Sequence, residues 1–160
     1  MESVLLKLAG AAAVAGGLLR IVNAFTAHTL DPHVLALIYL ATDDLLLLGL
    51  IGWYAPRASG LGASGAAGFA GAVTGFLTIR SAAMFPGYGY PMGAALLLAG
   101  LVVMSARELL RRKPPSLPAW FWLASFACAM LSILATPLVM ASAILFSAGF
   151  ICAGLRMLKS

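Results

Sequence analysis

Apolar residues run along the chain in long unbroken blocks, without the period of two that marks a half-buried strand, and short polar clusters divide one block from the next. The first block covers residues 4–27 and closes at a polar turn containing His28, Thr29, Asp31, Pro32 and His33. The second covers 34–54, is interrupted only by Asp43 and Asp44, and ends at Ala55-Pro56-Arg57 with a Gly/Ser-rich linker behind it. The third, 63–85, is rich in small residues and ends at Pro86-Gly87-Tyr88-Gly89-Tyr90-Pro91, too proline-rich to stay helical. The fourth, 92–110, stops at Arg111-Arg112-Lys113-Pro114-Pro115.

From Leu117 to Leu158 no charge appears until Arg156, and this stretch is about twice the length one membrane crossing needs. Ala135-Thr136-Pro137 is the place to divide it, into 117–135 and 137–158. The pattern therefore predicts an all-α integral membrane protein: a compact bundle of six transmembrane helices arranged as three consecutive helical hairpins, one domain over residues 1–160. Five helices, with the last stretch kept as a single kinked helix, is the alternative.

Composition agrees. The chain is 62% hydrophobic and only 9% charged, against about 25% charged residues in a soluble domain. So little charge could not cover a water-exposed surface. Residues 1–17 have the lysine and Ala/Leu run of a signal peptide, but the basic portion is only Lys7 beside Glu2, so the stretch is read as the first transmembrane helix.

The net charge of +5 raises the question of nucleic acid, and the positions of the basic residues answer it. Lys7, Arg57, Arg107, Arg111, Arg112, Lys113, Arg156 and Lys159, eight of the ten, fall at one set of alternate segment ends. The opposite turns hold none. This is the excess expected on the cytoplasmic side, and it places both termini in the cytoplasm of a prokaryotic cell whose inner membrane the chain spans. Trp53, Tyr54, Tyr88, Tyr90, Trp120 and Trp122 at segment ends suit the aromatic belt. Nucleic-acid binding is not expected.

Gly49 with Arg57, Gly100 with Arg107 and Gly149 with Arg156 recur about every fifty residues, which points to three repeated hairpins. The orientation rule alone would also put arginines at these ends.

Candidate chemistry is confined to Arg20, Asp43, Asp44 and Arg80, read as the charges inside the spans. Burying a charge in hydrocarbon costs a few kcal/mol, so each needs a partner. At about 1.5 Å per residue, Arg20 and the aspartates come to similar depth, which predicts an interhelical pair between Arg20 and Asp43 or Asp44. Adjacent aspartates point about 100° apart on a helix, so the second faces another helix, a cavity or a subunit. Tyr39, one turn from Asp43, and Asn23, near Arg20, are the supporting polar groups. The cluster is read as a fastening for helices one to three, with Arg80 reaching to the outer headgroups, or as a proton or ion site.

Ala67, Gly71 and Gly75 recur every fourth residue and predict a close-packed face on the third helix. His28 and His33 sit at one turn and read as solvated loop residues. Cys128 and Cys152 lie in apolar runs without metal-ligand neighbours. The chain contains no phosphate-binding loop, HExxH, nucleophile elbow or dinucleotide fingerprint, so no catalytic residue, metal or cofactor is expected. Partners are the lipid bilayer and other membrane subunits or further copies of the chain. The first functional expectation is a non-catalytic accessory, scaffold or regulatory subunit of a larger membrane complex. The alternative is a small-solute or proton-coupled transporter using Asp43 and Asp44 with Arg20.

Overall fold

The computed structural model describes residues 2–26, 29–82, 89–111, 116–132, 135 and 137–160. His28, the cluster 83–88 and the basic residues Arg112 and Lys113 lie outside the described residues. All the elements among those described are helical: α1 (Glu2–Thr26), α2 (Pro32–Tyr54), a 3-10 turn (Ala55–Arg57), α3 (Ala58–Ala82), α4 (Gly89–Arg111), α5 (Leu117–Leu131) and α6 (Pro137–Leu158).

The all-helical apolar architecture agrees with expectation, but the count of six spanning helices is not supported. α2, the 3-10 turn and α3 form one helical run, Pro32–Ser81, so uninterrupted helical segments among the described residues number five. Four of them, Val4–Thr26, Pro32–Ser81, Gly89–Arg111 and Pro137–Leu158, are long and apolar enough to cross a membrane. α5 has 15 residues, about 22 Å of helix, short of the roughly 30 Å of a hydrocarbon core. The division of the last apolar stretch falls where it was expected, with α6 opening on Pro137. The second α-helix also ends at Tyr54, as expected, and the difference is that no break separates it from α3.

At Ala55-Pro56-Arg57, where a linker was expected, the chain tightens into a 3-10 turn and runs on into α3. The turn is helped by Arg57, whose Nη1 donates to the Trp53 carbonyl at 2.7 Å, an acceptor near the point where proline offers no N–H. The reversal comes later, at Gly62, the non-helical residue inside this run, with φ 64° and ψ −165°. Asp44 and Arg80 lie equally far from Gly62 along the sequence and are ion-paired, so the chain doubles back there. That backbone conformation is essentially reserved to glycine. Gly62→Ala is expected to lower stability by about 1–3 kcal/mol, measured by thermal unfolding in micelles. Gly60→Ala, with open space around it, should change little.

Packing follows glycine. α1 lies against α2 and α6, α3 against α4, and α5 against α4 and α6, while α2 touches α3 far less. Counted from Gly49, Gly100 and Gly149, the residues three before (Leu46, Leu97, Phe146), one after (Leu50, Leu101, Phe150) and four after (Trp53, Met104, Ala153) are all buried. Each glycine meets the preceding helix closely. A methyl group on it would come within 2.8 Å of Ala13 Cα, 2.9 Å of Ala72 Cα and 3.0 Å of Trp122 Cε2, respectively. What repeats is thus the buried face of α2, α4 and α6. The arginines repeat only in part: Arg107 and Arg156 both stand seven residues after their glycines, where α2 is followed by Pro56, and Arg57 is one place out of step. Ring contacts join the hairpins edge-on: Trp53 of α2 meets Trp122 of α5 at 5.1 Å, and Phe76 of α3 meets Phe150 of α6 at 6.4 Å.

A candidate binding cavity between the first two hairpins

The least-packed seam, between α2 and α3, opens into a cavity of about 420 Å³ lined by Arg20, Ala36, Tyr39, Leu40, Asp43, Ile79, Arg80 and Tyr90. These residues lie at the end of the bundle away from both termini. α1 contributes the arginine near its carboxyl end, α2 its opening turns, α3 its last turn and α4 its first.

Within the cavity, Arg20 Nη1 stands 3.7 Å from Asp43 Oδ1, with side chains 21% and 12% exposed. That is an ion pair but too long for a hydrogen bond. Arg20 Nη2 donates to the Tyr90 hydroxyl at 3.3 Å, and its guanidinium carbon lies 5.9 Å from the centre of the Tyr39 ring. Arg80 Nη1 donates to Asp44 Oδ1 at 2.5 Å, and both side chains are 47% exposed. The adjacent aspartates diverge as helix geometry requires. Asp43 ties α2 to α1, and Asp44 ties α2 to α3.

Of the residues singled out in the sequence, the structure therefore assembles Arg20, Tyr39, Asp43, Asp44 and Arg80. Arg80, one reading of which sent it to the headgroups, is held by Asp44. Asn23 is buried and turned elsewhere, its Nδ2 donating to Thr42 Oγ1 at 3.4 Å, while Thr42 donates to the Ile38 carbonyl. Tyr90, read as part of the aromatic belt, was not expected in this cluster because a Pro/Gly-rich segment reads as a turn. α4 in fact begins at Gly89 and carries Pro91 in its first turn, where a missing N–H is harmless.

Sequence reading also passed over Glu108, hidden beside the basic cluster. It is 2% exposed, and its Oε1 lies 3.3 Å from Arg57 Nε. Arg57 in turn lies over the Trp53 ring at 4.8 Å. The pair lines a smaller cavity of about 140 Å³ at the end of the bundle nearer the termini, with Ser59, Gly60 and Arg111.

On α3 the close-packed face is shifted from the expected one. Gly75 meets the α4 backbone and Gly71 lies at ordinary contact distance, but Ala67 is exposed, and Gly68 and Ala72 complete the face. His33 is exposed and donates its backbone N–H to Asp31 Oδ1 at 2.9 Å. Cys128 and Cys152 are free thiols. Among the described residues no group of three His, Cys, Asp or Glu could hold a metal ion.

The position of the cluster is informative because the hairpins are otherwise alike. Where α2 has Asp43 and Asp44, α4 has Ala94 and Ala95, and α6 has Ala143 and Ile144. Charge enters the repeated scaffold at the seam that packing leaves open. Such local departures from the rules of a stable core concentrate at functional sites.

Comparison with protein-family models, with characterised proteins and with solved structures returns no match. Fold and site define an all-helical protein whose apolar helices reach membrane length and enclose an ion-paired cavity. Its role is to be argued from that cavity.

Proposed function

We propose that the chain is a small-solute carrier of a prokaryotic inner membrane, with both termini cytoplasmic and the cavity at Arg20 and Asp43 as its substrate site. The observation that carries this reading is the loose pair: two opposite charges 3.7 Å apart, mostly withdrawn from solvent and facing open volume. A pair serving only as a fastening gains most at hydrogen-bond distance. Ionisable groups within membrane segments mark substrate and ion pathways, and a cavity of this size falls within the range of small-molecule sites. The enclosing helices are few, so a second copy of the chain is a fitting partner.

Proteoliposomes given a panel of radiolabelled amino acids, sugars and carboxylates are expected to accumulate at least one of them. Asp43→Asn should lower that uptake by about tenfold or more, the cost of one charged interaction, while eluting as the same folded species. No uptake of any panel member, together with co-migration of the chain in a larger assembly, would reject the carrier. The accessory-subunit reading would then stand in its place. That reading rests on exposed apolar faces such as those of Leu37, Met92 and Leu110, which lipid covers equally well.

A further inference from the structure

Resting on that reading of the cavity, we infer that its ligand is a small zwitterion, an anionic group joined by a short link to an ammonium, with an aliphatic portion. The argument begins from charge balance. Each arginine of the cavity has an aspartate beside it: Arg80 with Asp44 at hydrogen-bond distance and Arg20 with Asp43 at 3.7 Å. A lone anion drawn to Arg20 would displace Asp43 from its counter-charge and leave that carboxylate, 12% exposed, without its nearest cation. A lone cation drawn to Asp43 would do the same to Arg20. A zwitterion does neither, because its anionic group takes the guanidinium while its ammonium takes the carboxylate, and the local sum of charge stays unchanged.

Geometry fits the same ligand. The gap between Arg20 and Asp43 is too long for a direct hydrogen bond, so inserting a ligand costs the site little. The Arg20 fork has five N–H donors, of which the Tyr90 hydroxyl accepts one. A carboxylate or phosphate can take two in parallel. Ala36, Leu40 and Ile79 supply an apolar wall beside the charges, which suits an aliphatic group and not a sugar.

The same chemistry is found in a free amino acid and in the headgroup of a zwitterionic phospholipid, and one set of measurements separates the sources. Thermal unfolding of the purified chain in an uncharged maltoside is followed with leucine, with isocaproate, which lacks the amino group, and with isoamylamine, which lacks the carboxylate. For a free zwitterion, leucine raises Tm in proportion to the logarithm of its concentration, and the singly charged analogues leave Tm unchanged. Asp43→Asn should then exchange the preference, losing the response to leucine and gaining one to isocaproate. For a headgroup, none of the three shifts Tm. Native mass spectrometry then finds phosphatidylethanolamine retained by the wild type and absent from Asp43→Asn.

An isocaproate response in the wild type equal to that of leucine would overturn the zwitterion while preserving a solute site in the cavity. No response to any compound, with no lipid retained, would overturn the zwitterion and the carrier reading together. Because the three ligands are compared on the unaltered protein, that comparison does not depend on how the variant folds, and the lipid measurement on Asp43→Asn is made on material that elutes as the folded species.

Discussion

Leucine in place of Gly75 is expected to prevent accumulation of folded protein, whereas alanine in place of Gly71 is expected to be tolerated. Both residues belong to the same GxxxG sequence on α3, and sequence spacing alone gives them equal weight. A Cβ on Gly75 would stand 2.7 Å from the Gly93 carbonyl oxygen and 2.7 Å from Leu97 Cα, whereas on Gly71 it would find Gly100 Cα at 3.7 Å. The atoms that Gly75 meets are backbone and have no rotamer in which to retreat. A side chain there must drive α3 and α4 apart along their whole crossing, the most extensive helix pair in the molecule.

Overpacking of that kind costs about 3 kcal/mol or more, a large part of the 5–15 kcal/mol by which a typical fold is stable. Gly71→Ala should stay within about 0.5 kcal/mol. Size-exclusion profiles and thermal unfolding in micelles report both. A melted Gly71→Ala beside an intact Gly75→Leu would mean that the helices cross in another register.

The contrast shows what the sequence could and could not convey. Apolar blocks reveal helices because hydrocarbon requires every backbone group to be satisfied within its own segment. Small residues on α3 announced a tight crossing for a similarly local reason. The register of that crossing depends on which face α4 offers, so Gly68 and Ala72 emerged only from packing, and Ala67 proved to be exposed.

The charged cluster was legible because isolated charges in apolar runs must find partners. Pairing of Arg20 with one of the two aspartates followed from depth alone, but the choice of Asp43, and of Asp44 for Arg80, depends on helix rotation. Tyr90 and Glu108 were hidden by their neighbours, one in a proline-rich segment and the other beside arginines. At Pro56 the local rule gave the end of α2 at Tyr54 but not the 3-10 turn that carries the chain on into α3. The helix continues there as a 3-10 turn, and the chain waits for Gly62 to reverse.

The pair hidden in this way governs the other large effect. Glu108→Leu alone is expected to destabilise the protein by about 3–5 kcal/mol, because it removes one partner of a buried ion pair. Arg57 meets the Glu108 carboxylate at 3.3 Å, the Trp53 carbonyl at 2.7 Å and the face of the Trp53 ring at 4.8 Å. It stands between the end of α2 and the reversal at Gly62, so the pair fastens that reversal to α4. Adding Arg57→Met to Glu108→Leu removes the other charge of the pair, and the double variant should recover most of the loss.

Recovery will be incomplete by about 1 kcal/mol, because methionine cannot replace the cation–π contact or the bond to Trp53 O. A double-mutant cycle on Tm and denaturant midpoint measures the difference. Strict additivity of the two substitutions would mean that the carboxylate and the guanidinium do not depend on each other. The reversal would then owe its position to the conformation of Gly62 and to the Asp44–Arg80 pair at the other end of the seam.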